Sequence, residues 1–217
     1  MTLSTFHLRK GRAPAQQTYS NRRQQIESKT VEGPRHIFSF DALIEGNLGL
    51  SAVYGSFLAE GAAYCLHKNG HHSPGNLVLT LEESLMTSLI WKEVGAELDS
   101  TWTDLKEASE YGAYAVAIVV CLKLTNFPRV ERCAQEGTGI DIWVTDNADD
   151  RGIFQRAARL EVSGLLHDDQ NRTKARLKQK LVQTKRSDET KLPAYVAVVE
   201  FGSPEIRMHK RDGREEQ

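Results

Sequence analysis

The chain has 217 residues, of which 40% are hydrophobic and 26% charged, with a formal net charge of −1 at pH 7. No segment approaches the run of about 18 apolar residues that a membrane span needs, and the N-terminus lacks the apolar segment of a secretory signal, so we expect a cytoplasmic protein. Three separated cysteines without a CxxC pair indicate neither a disulfide framework nor a structural zinc site. The length suits one globular domain with extensions, or one and a half domains.

Residues 1–36 are polar and basic, with seven Lys or Arg against only Glu27 and Glu32. They are poor in apolar periodicity, and only residues 20–29 have helical character. We interpret them as an N-terminal extension that is solvated or bound to a partner. A phosphate-contacting arm is the alternative, because such an arm needs basic residues but no fixed spacing.

Residues 37–100 form a lead-in that we expect to be structured. Small residues over 56–70 predict a helix that ends at Asn69-Gly70, and 76–81 predict a short strand. Thr80 and Glu83 have the spacing of a capping box and predict a further helix after them.

Residues 101–217 have the pattern of an α/β core. An apolar helix is predicted over 103–124 and is followed by three short strands, 127–133, 139–146 and the ARLEVSG segment that ends at Gly164. A basic amphipathic helix over 171–185 comes next. The run AYVAVVEF after Pro193 predicts a strand buried on both faces, and EIRMHK near the C-terminus predicts an edge strand. The order is helix, three strands, helix, strand around a mixed central sheet.

Two acidic residues, Asp141 in GTGIDIWV and Glu161 in ARLEVSG, lie among apolar residues of predicted strands. Because strand side chains alternate between faces, Asp141 and Trp143 point one way and Ile140 and Ile142 the other; Glu161 is opposite Leu160 and Val162. If both aliphatic faces pack on the core helix, the two carboxylates share the other face. Carboxylates on neighbouring strands could chelate one Mg²⁺ or Mn²⁺, which would activate water for attack on a phosphate. The alternative is that each acid belongs to the solvent-facing half of an amphipathic strand.

With these acids and this element order, the chain resembles the PD-(D/E)XK, or restriction-endonuclease-like, superfamily over roughly 103–210. It is also similar to bacterial proteins that carry the same GTG-x-D and ARLEVSG pieces. The resemblance implies an αβββαβ core in which Asp141 and Glu161 bind the metal and Glu107 or Glu110 supplies a further acid. The chain departs from the motif at Ser163, where a lysine is expected. Some members carry that lysine on the next helix, which makes Lys174 and Lys178 the candidates.

Other sites are weakly indicated. His67, His71 and His72 flank a helix break without a fourth ligand, so we interpret them as surface histidines rather than a zinc site. No GxGxxG follows a strand, and no cofactor-binding residues are predicted. The basic helix is either a solvated face or a surface that binds nucleic acid. Its candidate nucleic-acid-binding residues are Arg172, Lys174, Arg176, Lys178 and Lys180.

The sequence thus predicts a basic extension (1–36), a lead-in (37–100) and a restriction-endonuclease-like α/β core (101–217). The function implied by the resemblance is a Mg²⁺- or Mn²⁺-dependent nuclease in bacterial defence against foreign DNA. The alternative is a non-catalytic subunit of the same fold that acts as a scaffold or binds nucleic acid in a larger complex; Ser163 favours it. Expected partners are nucleic acid, DNA in preference to RNA, and a protein partner or second copy of the chain, but no membrane.

Overall fold

The structure is a computed structural model of the chain, and it describes residues 36–133, 137–146, 156–167 and 170–213. All described residues belong to one compact unit, Arg35–Gln217. The predicted basic extension therefore lies outside the described residues, apart from His36 at its end.

The described residues form a mixed α/β structure with strands and helices on both sides of position 100. The strands are β1 (Ile37–Ser39), β2 (Gly75–Thr80), β3 (Ser84–Ile90), β4 (Arg129–Cys133), β5 (Ile142–Thr145), β6 (Ala157–Leu165), β7 (Ala194–Glu200) and β8 (Glu205–Arg211). The α-helices are α1 (Asp41–Ile44), α2 (Ala52–Lys68), α3 (Leu105–Leu124) and α4 (Gln170–Gln183), and short 3₁₀ segments cover Ala96–Leu98 and Thr184–Thr190.

All these strands belong to one mixed sheet with the order β1-β3-β2-β8-β7-β6-β5-β4. Strands β4, β5 and β6 pair antiparallel, and β7 lies parallel to β6. The connection from β6 to β7 runs through α4, because parallel neighbours need a crossover. The predicted order of helix, three strands, helix and strand is therefore present as α3, β4, β5, β6, α4 and β7.

The prediction of a helix after Thr80 and Glu83 is wrong, because these residues lie at the turn of a β-hairpin. Strand β3 pairs antiparallel with the whole length of β2, and Thr80 Oγ1 lies 2.9 Å from Ser84 Oγ across the turn. On β3, Thr87 and Leu89 are buried while their neighbours are more exposed. The apolar spacing has a period of two, and pairing with β2 satisfies the backbone better than an isolated helical turn would.

The last strand was predicted at an edge, but β8 lies inside the sheet between β7 and β2. It pairs antiparallel with β7 and parallel with β2. The buried Ile206 and Met208 belong to the main core. Through β8, the strands of the lead-in join the same sheet as those of the α/β core.

Helix α3 packs on the sheet with the aliphatic face that its sequence predicts. Its buried alanines, valines and isoleucine share one core with Ile142, Val144, Leu160 and Val162 of β5 and β6. Helix and sheet come closest at Gly164, where an added Cβ would lie 1.9 Å from the Ser109 carbonyl oxygen. The aliphatic faces of β5 and β6 are thereby covered, which leaves their opposite face to α4. No helix in the described ranges is long and apolar enough to cross a membrane.

Candidate functional site

A glycine turn brings the chain into β5 and sets the position of Asp141. Gly137 and Gly139 both have positive φ, 87° and 76°. Gly139 also packs on the end of α4, since an added Cβ would lie 2.4 Å from the Gln183 carbonyl oxygen. The GTG sequence is therefore required by backbone conformation and by close packing at the same place.

Asp141 lies just before β5 and is held by three hydrogen bonds, two with β6 and one with α3. Its backbone N–H donates to the Leu160 carbonyl at 3.0 Å, and its Oδ2 accepts from the Val162 N–H at 2.7 Å. Its Oδ1 accepts from the Tyr114 hydroxyl of α3 at 3.1 Å. The carboxylate thus takes the place of a backbone carbonyl beside β6, which directs it toward Glu161.

The predicted alternation of faces holds for β5 but not for the residue before Asp141. Ile142 belongs to the core under α3, and Trp143 belongs to a second apolar cluster, as predicted. Ile140, however, lies in the cluster of Trp143 rather than in that of Ile142. Because β5 begins only at Ile142, strand alternation does not extend back through Asp141.

Glu161 is fully buried in the middle of β6. Its Oε1 accepts from Lys180 Nζ at 2.5 Å, whereas its Oε2 has no hydrogen-bond donor among the described residues. Burial and, next, the charge of Asp141 raise the pKa of Glu161 to about 7, against the opposing effect of Lys180. The two predicted acids therefore lie together, close enough that the charge of Asp141 adds to the effect of burial on the pKa of Glu161.

Tyr114 is a site residue that the sequence analysis missed. Burial and the adjacent Asp141 charge raise the pKa of its hydroxyl well above the ordinary value, so the hydroxyl stays a donor at any neutral pH. It follows Glu110 by one helical turn on α3. Glu110 itself is exposed, so its position on α3 did not point to Tyr114.

Helix α4 presents two cations to the same face of β6. Lys180 contacts Glu161, and Arg176 Nε, one turn earlier, donates to Ser163 Oγ at 2.8 Å. Thr173, another turn back, is buried. The inward face of α4 thus follows the spacing 173, 176, 180, and this spacing could have identified Lys180 from the sequence.

Other predicted residues lie away from the two acids. Lys174 and Lys178 are exposed, so among the lysines of α4 it is Lys180 that reaches the site. Glu107 and Glu110 are exposed in the first half of α3, where Glu110 Oε1 lies 3.8 Å from Lys106 Nζ. Arg172, at the start of α4, is also exposed.

A buried arginine fixes the segment that follows α4. Arg159 of β6 is fully buried and donates to the carbonyls of Thr184 and Leu192 and to Ser187 Oγ. It also forms an ion pair with Asp188 at 3.2 Å. Because these acceptors belong to the 3₁₀ segment and its continuation, Arg159 ties the C-terminal end of α4 to the strand that carries Glu161.

The two carboxylates are a suitable pair for one hard cation. In the described part of the chain no group of three or more His, Cys, Asp and Glu side chains is placed to hold a metal ion. Mg²⁺ commonly uses only one or two protein carboxylates and takes its other ligands from water and phosphate. The buried Glu161 Oε2, which lacks a donor and lies beside a second acid, fits such an ion. His71 and His72 are engaged elsewhere, with the Gly202 carbonyl and with Glu93.

No protein-family model, no curated protein and no solved structure matches this chain. Its function is therefore inferred from the geometry of the site itself.

Proposed function

We propose that this protein is a metal-dependent nuclease that hydrolyses phosphodiester bonds, with a role in bacterial defence against foreign DNA. The observation that carries the proposal is the buried Glu161 carboxyl group, which has an oxygen without a donor, a second acid beside it and a lysine at 2.5 Å. A purely structural carboxylate in a core would be expected to have both oxygens hydrogen-bonded. This site instead has unused acceptor capacity next to a positive charge.

The element order and strand pairing support a restriction-endonuclease-like core. An antiparallel β4-β5-β6 meander is followed by a helical crossover to a parallel β7. In the proposed restriction-endonuclease-like core, Asp141 and Glu161 correspond to the metal-binding acids. Lys180 on the following helix takes the role of the lysine that is absent at Ser163. Strands β8, β2, β3 and β1 extend the sheet beyond that core.

Asp141 and Glu161 would hold Mg²⁺ or Mn²⁺. When bound, such an ion supplies positive charge for the phosphate and lowers the pKa of a coordinated water. Tyr114 and the Val162 N–H orient the Asp141 carboxylate before any substrate binds. Lys180 contributes a charge in a region with little water, where it stabilises negative charge on a phosphate more than it would in solution.

A plasmid-nicking assay with Mn²⁺ tests the proposal on the full chain. Wild-type protein should nick the plasmid, and Asp141→Asn, Glu161→Gln and Lys180→Gln should each lower the rate by about 10²- to 10³-fold. Lys92→Gln removes an exposed lysine after β3 and should cleave like the wild type. Cleavage that persists in Asp141→Asn, or that needs no divalent ion, contradicts the proposal.

The alternative is a non-catalytic scaffold or nucleic-acid-binding subunit. It is favoured by the fact that three of the four carboxylate oxygens already accept hydrogen bonds from protein donors. In that case no substrate would be cleaved with any divalent ion. Asp141→Asn would then bind DNA as well as the wild type does in a mobility-shift assay.

A further inference from the structure

Arg176 is a second cation beside the acids, and the nuclease chemistry described above does not use it. Its Nε donates to Ser163 Oγ at 2.8 Å, and its Nη1 donates to Gln179 Oε1 at 3.0 Å. No acceptor within the described residues contacts Nη2. Arg176 is only partly buried. Its guanidinium is held in place by these two hydrogen bonds, and Nη2 is the nitrogen left without an acceptor among the described residues.

Ser163 accounts for the position of this guanidinium. It stands two residues after Glu161 on β6, and its side chain points to the same face. A hydroxyl at this point accepts from Arg176, where a lysine would instead have placed its own charge. Ser163 is therefore a positioning residue for Arg176.

The two cations are arranged along β6 and separated by one helical turn. Residues four apart on a helix have Cβ atoms about 5–6 Å apart. Lys180 contacts Glu161 of β6. Arg176 contacts Ser163, which lies two residues further along the same strand. With Lys180 engaged at the acids, Arg176 is displaced along the strand from the phosphate that reacts there.

We propose that Arg176 binds the phosphate next to the one at Lys180, so that the site takes strands with at least two consecutive phosphates. A positioned guanidinium with an unused N–H donor at Nη2 suits a phosphate oxygen. This inference rests on the proposed function. It narrows the substrate class to oligo- or polynucleotides and excludes small single phosphodiesters as good substrates.

Competition binding tests this directly with the full chain. A fluorescein-labelled thymidine 12-mer is bound to the protein in the presence of Ca²⁺. It is then displaced by an unlabelled thymidine dinucleotide, which has one phosphate, or by a trinucleotide, which has two. The fluorescence anisotropy of the 12-mer gives the affinity of each competitor. The trinucleotide should compete about tenfold better in the wild type and in Lys92→Gln, since a charge-assisted contact is worth about tenfold in affinity. Arg176→Gln should lose this preference, Arg176→Lys should keep part of it, and Ser163→Ala should reduce it.

Kinetics with Mn²⁺ provide a readout that a merely structural role would not change. Arg176→Gln should raise KM for an oligonucleotide about tenfold. It should lower kcat/KM for bis(p-nitrophenyl) phosphate, which has one phosphodiester, by a smaller factor than kcat/KM for the oligonucleotide. An equal preference for the trinucleotide in wild type and Arg176→Gln, or none in the wild type, overturns the inference. If the competition pattern appears but no strand is cleaved, Arg176 binds phosphate as inferred and the nuclease proposal alone fails.

Discussion

Replacing Glu161 with Gln should remove a specific pH dependence from the stability of this protein. Glu161 is buried next to Asp141, and its pKa rises from an ordinary value of 4.5 to about 7. The folded state therefore binds this proton more tightly than the unfolded state does. The contribution of protonated Glu161 to the unfolding free energy is fully present below about pH 4.5 and is lost as the pH rises through about 7.

The size of the effect follows from the difference in proton affinity. At about 1.4 kcal/mol for each tenfold change, the raised pKa corresponds to about 3 kcal/mol of unfolding free energy. Because a glutamine side chain cannot ionise, the Glu161→Gln variant lacks this contribution. The stability of the wild type relative to the variant should fall by about 3 kcal/mol from about pH 4.5 to about pH 8.5.

Urea unfolding at several pH values measures this difference. Tryptophan fluorescence reports the transition, since Trp91, Trp102 and Trp143 are all buried. Glu83→Gln changes an exposed carboxylate in the β2–β3 turn and should show no such trend against the wild type. A difference between wild type and Glu161→Gln that is flat across this range would refute the reasoning, because it would mean that Glu161 ionises as freely when folded as when unfolded.

Three further outcomes are expected. Binding of Mg²⁺ or Mn²⁺ should tighten as the pH rises through about 7, because the cation displaces a proton from Glu161. Calorimetric titration between about pH 6 and 8.5 measures the affinity. An affinity that stays constant over this range contradicts the prediction. Tyr114→Phe removes a hydrogen-bond donor to the Asp141 carboxylate and should lower the unfolding free energy, measured by urea denaturation, by about 1.5–3 kcal/mol. The control is Tyr111→Phe, which should not lower it, because the Tyr111 hydroxyl has no hydrogen-bond partner in the described ranges. Both Gly139 and Gly137 have positive φ, but an added Cβ would meet backbone atoms only at Gly139. Gly139→Ala should therefore lower the unfolding free energy by about 1–3 kcal/mol more than Gly137→Ala does, as measured by thermal denaturation. Equal losses of stability in the two variants would argue against the close packing of Gly139 on α4.

Local periodicity was enough to predict the elements of the second half of the chain. Helix α3 and strands β4 to β7 appear in the predicted order, because apolar stretches of helix or strand length are separated there by segments that contain Gly, Asn, Asp or Pro. The prediction that Asp141 lies beside Glu161 assumed strand alternation through Asp141. In the structure Asp141 precedes β5 and is held beside Glu161 by its hydrogen bonds with β6.

Residues 80–90 show where local patterns were insufficient. A capping-box spacing and a strand with period two coexist there, and the choice depends on whether β2 is available as an antiparallel partner. Strand β8 was placed at an edge for the same reason. Its second neighbour, β2, lies far away in the sequence.

By itself the sequence predicted the strands that carry or adjoin the two acids and the basic helix that follows them. Only the tertiary structure decided that Lys180, rather than Lys174 or Lys178, faces Glu161, that Ser163 holds Arg176, and that Tyr114 reaches Asp141. The physical reason is that the rotation of a helix about its axis is set by what it packs against. Which of several equally spaced basic residues points inward therefore depends on contacts with the sheet and with the Arg159 network, which the helix sequence does not contain.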